Sequence, residues 1–199
     1  MAALVRYLTH PEVLIDPTVP VPRWGLSEVG HARVEALVHA GWLDGTKQII
    51  SSAEQKALET AEPIADALRI EFEVREAMHE NDRSATGFLP PNEFQRVANE
   101  FFSNPNESIR GWERAIDAQA RIVGEVEAAL EKWDEGDVLF VGHGGVGTLM
   151  FCHYSKLAIS RAHDQPVGGG GCYFSMRLDD RDVLHPWRCI EDAPPSKES

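Results

Sequence analysis

"DVLFVGHGGVGTLM", residues 137 to 150, decides the fold: an unbroken apolar run, a histidine, glycines, then another apolar stretch. A short run that is apolar at every position, rather than at alternate ones, suits a strand buried on both faces of a parallel sheet. The glycines allow a helix to start directly at the strand's carboxyl end, with its N–H groups open to an anion. "LVRYLTHPEV" (4 to 13) begins the same way, as an apolar, β-prone run that stops at Thr9 and His10. Ligands of open α/β sheets bind beyond the carboxyl ends of the strands, so His10 and His143 both fall where chemistry is expected.

Working outward, strand and helix signals alternate. A proline-rich loop, "HPEVLIDPTVPVPRWG", follows the first strand, and Ser27 is placed to cap a helix reaching about residue 40. "TKQIIS" is a short buried strand. Ser52 and Gln55 have capping-box spacing at the head of a second helix, in which Pro63 predicts a kink. "HENDRSATGFLPP" has turn composition and predicts an exposed loop. A helix from about Asn92 and a long one from about Ser108 to Trp133 come next, on the spacing of their apolar residues. After the helix that follows His143, "GGGG" (168 to 171) predicts a flexible connector, and "CYFSMRL" and "DVLHPWRCI" predict two further strands. The expected fold is a three-layer α/β/α sandwich around a mixed, mostly parallel sheet. Residues 1–192 are expected to form one domain, with 193–199 as a flexible tail.

Composition narrows the function classes. The 199 residues carry 19 Lys and Arg against 32 Asp and Glu, a formal net charge of −13. Such a chain repels nucleic acid and anionic membranes at long range, so neither is an expected partner. Three cysteines without CxxC spacing argue against a disulfide framework or a zinc site and for a reducing, cytoplasmic setting. No secretion signal or membrane span is legible. No cofactor is called for, and the oligomeric state is unreadable.

A neutral imidazole attacks phosphorus readily and gives a phosphoramidate that water cleaves, while a second imidazole can donate to the phosphoryl oxygens. The site further needs cations or backbone N–H groups and an acid for the departing oxygen. "GHGGVG" (142 to 147) also fits a dinucleotide fingerprint, but it comes late in the chain and no acidic residue ends a strand ~20 residues on. Eight histidines show no HxxxH, HxH or carboxylate cluster at metal-ligand spacing.

Six segments, in order, resemble the histidine phosphatase superfamily, the phosphoglycerate mutase-like fold, in its short bacterial form. "LTHPEV" stands where that family has Arg-His-Gly-Glu, and "LSEVGHARVEAL" is similar to its "LTxxGxxQAxxL". "SSAEQKALETAEPIADAL" resembles "SSPLxRAxQTAxxI", "MHENDRSATG" occupies the place of the acid-bearing loop, and "NESIRGWERA" resembles the segment around "GES". "VLFVGHGGVGTLM" matches the second-histidine motif most closely. The resemblance implies a metal-independent phosphomonoesterase acting through a phosphohistidine on a small phosphorylated substrate. His10 would be the nucleophile, Glu80 the proton donor (with Asp82 next in line), and His143 a phosphoryl ligand. Thr9 and Lys56 stand where the family has arginines, which implies a weakened phosphate grip. Thr9, Lys56, Arg23, Arg83 and the N–H groups from Gly144 onward are the expected phosphate-binding set. Because two arginines are missing, a non-catalytic relative that binds a phosphorylated ligand or protein partner stays open as an alternative. Hydrolysis is expected over mutase activity, since the long insertions of the sugar-acid mutases are absent.

Overall fold

The backbone of a computed structural model, which describes residues 3–131, 133 and 135–193, is built on one six-stranded sheet. The strands are β1 (Leu4–Thr9), β2 (Thr46–Ser52), β3 (Phe72–Arg75), β4 (Asp137–Gly142), β5 (Cys172–Arg177) and β6 (Val183–Cys189). Their order is β3-β2-β4-β1-β5-β6, with the first four mutually parallel, β5 antiparallel to β1, and β6 antiparallel to β5. The helices are α1 (Glu28–His39), α2 (Gln55–Leu68), α3 (Pro91–Ser103), α4 (Ala115–Leu130) and α5 (Gly144–Tyr154).

Side chains of successive strand residues point to opposite faces, and here both faces are covered. Val5, Tyr7, Val138, Phe140 and Phe174 pack with α3, α4 and α5, while Leu8, Ile49, Leu139, Val141 and Tyr173 pack with α1 and α2. That double burial explains why β1 and β4 are apolar at nearly every position. At ~1.5–3 kcal/mol for each large apolar side chain removed from water, these two layers are the main term holding the sheet.

Register is what positions the site. β1 pairs with β4 from Val5↔Val138 to Thr9↔Gly142, so the next residues, His10 and His143, leave neighbouring strand ends side by side. Arg6 donates to Asp137 at 2.7 Å, and the same carboxylate accepts the Leu4 N–H at 2.9 Å. A slip by one residue would break this pair and turn the apolar side chains to the wrong layers. The Tyr7 hydroxyl accepts the His143 N–H at 3.0 Å and donates to the His143 carbonyl at 3.1 Å. A Cβ at Gly142 or Gly147 would run into the Tyr7 side chain, which is why both positions are glycine.

Four local expectations are corrected. The strand β3 was not legible: its four residues sit half-buried or exposed on the sheet edge and carry little apolar signal. The helix expected over 108–133 is broken, because Arg110 (φ 53°) and Gly111 (φ 84°) take left-handed conformations and α4 begins only at Ala115. The capping box at Ser52 and Gln55 does not form. Glu54 is the residue before α2, and the Ser52 hydroxyl instead accepts the Glu54 N–H and reaches His143. The four glycines are not a loose connector, since all have positive φ and the Gly171 N–H donates to the His10 carbonyl at 3.0 Å. A Cβ at Gly170 would collide with that carbonyl, and Arg33 donates to the Gly168 and Gly170 carbonyls over the turn. Ala193, expected in the tail, still packs on the α1–α2 layer, and 194–199 lie outside the described residues. Among the described residues no helix is long and apolar enough to cross a membrane.

Candidate active site

His10 and His143 face each other with ring centroids 5.3 Å apart and planes at 68°. The His10 Nδ1 lies 2.8 Å from the Pro11 carbonyl. A carbonyl only accepts, so Nδ1 carries the proton and Nε2 holds the lone pair. Burial, with the neighbouring His143 second, pushes the His10 pKa down to about 3, so the ring is neutral across the ordinary pH range. His143 is fully buried, and its Nε2 lies 2.8 Å from the Ser52 hydroxyl. That hydroxyl accepts the Glu54 N–H but keeps a second lone pair, so Nε2 either accepts its proton or donates to it, and Nδ1 carries the ring proton in the first case. His143 Nδ1 has no hydrogen-bond partner among the described residues. A buried polar nitrogen without a partner costs ~1–3 kcal/mol, and sites of this kind are where ligands complete the bonding.

Two carboxylates adjoin this pair. Glu80 accepts the Gly145 N–H at 3.0 Å and the Val146 N–H at 2.9 Å, at the start of α5. Burial alone would raise its pKa, but the neighbouring His143 imidazole, the Arg83 charge and the two helix N–H groups outweigh burial and hold it below the usual carboxylate range. The lowered pKa favours the ionised form of Glu80 in the resting site. Arg121 fixes the Glu80 loop by donating to the carbonyls of Ala77 and His79 at 2.7 and 2.9 Å and pairing with Glu113. Glu54 is the second carboxylate, only 8 % exposed. One of its oxygens pairs with the Lys56 ammonium, and the other accepts the Glu80 N–H at 2.9 Å and lies 3.6 Å from His143 Nε2. Burial opposes its charge, yet His143 and Lys56 bring its pKa down to about 2.

The expected phosphate-binding residues divide accordingly. Lys56 is buried in the site but is bound by Glu54 and the Val21 carbonyl, so its charge is already matched. Thr9 is fully buried; its hydroxyl accepts the Cys172 N–H at 3.0 Å and donates to Gln165 Oε1 at 2.7 Å, so it does not face a ligand itself. Gly144 opens α5, and Glu80 takes the two N–H groups after it, so of this amide set only the Gly144 N–H is left aside. Arg83 lies over the Phe94 ring at 4.9 Å and lines a cavity of about 730 Å³ next to Glu54 and Glu80. Arg23 is exposed and does not line that cavity. The walls opposite the carboxylates come from the proline-rich loop, Pro17 to Pro22, and from Phe88, whose ring packs on Trp24 at 5.8 Å.

A model of the histidine phosphatase superfamily (branch 1) matches residues 21–185. The chain belongs to that superfamily. Solved structures share its phosphoglycerate mutase-like fold at low identity. The Bacillus stearothermophilus protein YhfR superposes with a TM-score of 0.78 at 20 % identity, over 93 % of this chain and 95 % of that one. A mycobacterial glucosyl-3-phosphoglycerate phosphatase gives 0.74 at 16 % identity, over 94 % and 96 %. Its complex with inorganic phosphate gives 0.73 at 18 %, over 94 % and 95 %. No curated protein matches the sequence.

Within this superfamily frame the sequence singled out His10, His143, Glu80 and Lys56, and the fold brings all four together. Glu54, Ser52, Arg121 and Gln165 were missed. Glu54 alone left a trace, a charged residue where the family segment "SSPL" has leucine.

Proposed function

We propose that the protein is a metal-independent phosphomonoesterase that works through a phosphohistidine on a small phosphorylated substrate. The observation that carries it is the complementary pair of nitrogens on adjoining strand ends. His10 offers a lone pair at Nε2 in a ring fixed by Pro11, and His143 offers a buried Nδ1 with no partner among the described residues. The superfamily membership and the phosphate complex of a structural neighbour support the same chemistry.

His10 Nε2 attacks phosphorus while the bond to the leaving oxygen breaks. A protonated His143 Nδ1 and the Gly144 N–H take the charge on the phosphoryl oxygens. The ionised resting state of Glu80 sets how the leaving oxygen gets its proton. A phosphomonoester loses its second proton near pH 6, so the monoanion arrives with a proton that Glu80 accepts and passes to the leaving oxygen. Water then attacks the phosphohistidine, Glu80 removes its proton, and His10 departs as neutral imidazole. No step uses a metal ion or cofactor.

One observation favours the alternative, a non-catalytic relative that binds a phosphorylated ligand or protein partner. Glu54 neutralises Lys56, the cation expected to hold the phosphoryl group, and lies 3.6 Å from His143 Nε2. Brief reaction with an activated phosphodonor, followed by mass spectrometry, separates the two. An acid-labile, base-stable phosphate on His10, with turnover that survives EDTA, is expected. Label on His143, or turnover unchanged in His10→Ala, would remove the proposal.

A further inference from the structure

We infer that Gln165 is a phosphoryl-binding residue, held in place by Thr9. The inference rests on the phosphatase reading and names a ligand for its substrate that the motifs do not contain.

The argument starts from Thr9. Its single hydroxyl accepts the Cys172 N–H at 3.0 Å, and of the two acceptors for its one proton Gln165 Oε1 at 2.7 Å is nearer than the Cys172 carbonyl at 3.2 Å. A carboxamide anchored through its oxygen must present its NH2 on the other side of the group. That NH2 lies against Gly144: a Cβ on Gly144 would strike Gln165 Nε2. Gln165 therefore bridges the residue before His10 and the residue after His143. Its Nε2 has no hydrogen-bond partner among the described residues, and the side chain is only partly buried. Two donor hydrogens thus stand free at the start of α5, next in the chain to His143, whose buried Nδ1 also has no partner among the described residues.

The loop that carries Gln165 is fixed before any ligand arrives. Asp164 accepts the Thr148 hydroxyl and the Gln165 N–H, each at 2.8 Å, tying the loop to α5. Trp187 donates to the His163 carbonyl at 3.1 Å, and Arg161 donates to the Gln95 carbonyl of α3 at 3.1 Å. Donors held in this way need little reorganisation to meet a charged oxygen. Thr9 is a positioning residue here: it orients the carboxamide and does not touch the anion. The donor beside the nucleophile is neutral, which suits a pocket whose lysine is already paired with Glu54.

The test measures phosphate and vanadate binding by calorimetry, and vanadate inhibition of aryl phosphate hydrolysis, in Gln165→Leu and Gln165→Glu. Losing one hydrogen bond to a charged group is expected to weaken binding roughly tenfold in Gln165→Leu. Gln165→Glu should weaken it further near neutral pH, and part of that extra loss should return as the pH drops through the range where a carboxylate protonates. Thr9→Val should reproduce the Gln165→Leu loss, with the double variant adding little, because both remove the same donor. Both Gln165 variants binding phosphate within twofold of the wild type, while the wild type binds and turns over, would overturn the assignment and leave the phosphatase reading standing. A wild type that neither binds phosphate nor hydrolyses the aryl ester, in the same manner as His10→Ala, would overturn both.

Discussion

Replacing Glu54 by Gln should make the protein less stable and its grip on phosphate tighter. The carboxylate is 8 % exposed and pairs with Lys56, which is 3 % exposed. Removing one partner of a buried pair leaves the other charge uncompensated, at a cost of ~3 kcal/mol or more. For a chain of this size that corresponds to a fall of roughly 6–12 °C in Tm. Binding should respond in the opposite direction. Glu54 Oε1 lies 3.6 Å from His143 Nε2, and a phosphoryl oxygen on His143 Nδ1, across the same ring, stands ~8 Å from it. Two unit charges at ~8 Å repel by ~2 kcal/mol at an effective dielectric of ~20. Allowing half of that for water in the open cavity, Glu54→Gln should bind phosphate or vanadate roughly fivefold tighter. Phosphate at a hundred times its Kd should then restore ~2.7 kcal/mol of the lost stability. Thermal melts with and without phosphate, beside calorimetric titration, read both effects. A variant that loses stability and also binds phosphate more weakly would show that Glu54 lies outside the anion's place, and the electrostatic argument would fail.

The remaining expectations concern the nucleophile, the proton carrier and its support. His10 must be neutral to attack, and its pKa is lowered from 6.5 to about 3, so the acid limb of kcat/KM should lie far below that of a free imidazole. A limb near pH 6.5 would contradict the buried geometry. The same shift means that the unfolded chain takes up a proton below about 6.5 while the folded one does not. His10 should therefore cost stability progressively as the pH falls from about 6.5 toward 3, a slope that His10→Ala should flatten in pH-dependent melts. Glu80→Gln should depress turnover far more for alkyl than for activated aryl phosphates, and equal losses would reduce Glu80 to a loop anchor. Arg121→Leu removes the donors to Ala77, His79 and Glu113, and should lower kcat by roughly tenfold or more at ~2–3 kcal/mol of lost stability. Unchanged kcat in a destabilised Arg121→Leu would limit Arg121 to a structural role.

By itself, the sequence determined the layer architecture and the two histidines. Strands β1 and β4 are buried on both faces, so their apolar runs are continuous and end abruptly, and each ends at a histidine by local chemistry alone. The cap at Ser27, whose hydroxyl accepts the Gly30 N–H at 3.1 Å, was legible for the same reason: its cause lies within a few residues. What failed locally did so where a distant partner outweighed local preference. Ser52 has capping-box spacing, yet its hydroxyl hydrogen-bonds to His143 across the sheet. Four glycines look unconstrained in sequence, yet the turn is pressed against the His10 carbonyl.

The charge state of the site was decided only by the tertiary structure. Lys56 can be picked out as a phosphate-binding cation from its motif, but whether its charge is free depends on Glu54, which the first turn of α2 brings against it. Glu80 can be picked out as an acid, but the start of α5, far along the chain, holds it ionised. Gln165 carries no signal at all, because an amide in a loop acquires a role only when Thr9 and Gly144 meet on either side of it. Apolar burial is a sum over many residues and leaves a pattern in the chain. A hydrogen bond or an ion pair depends on two atoms meeting at about 3 Å, and that meeting is settled by the fold.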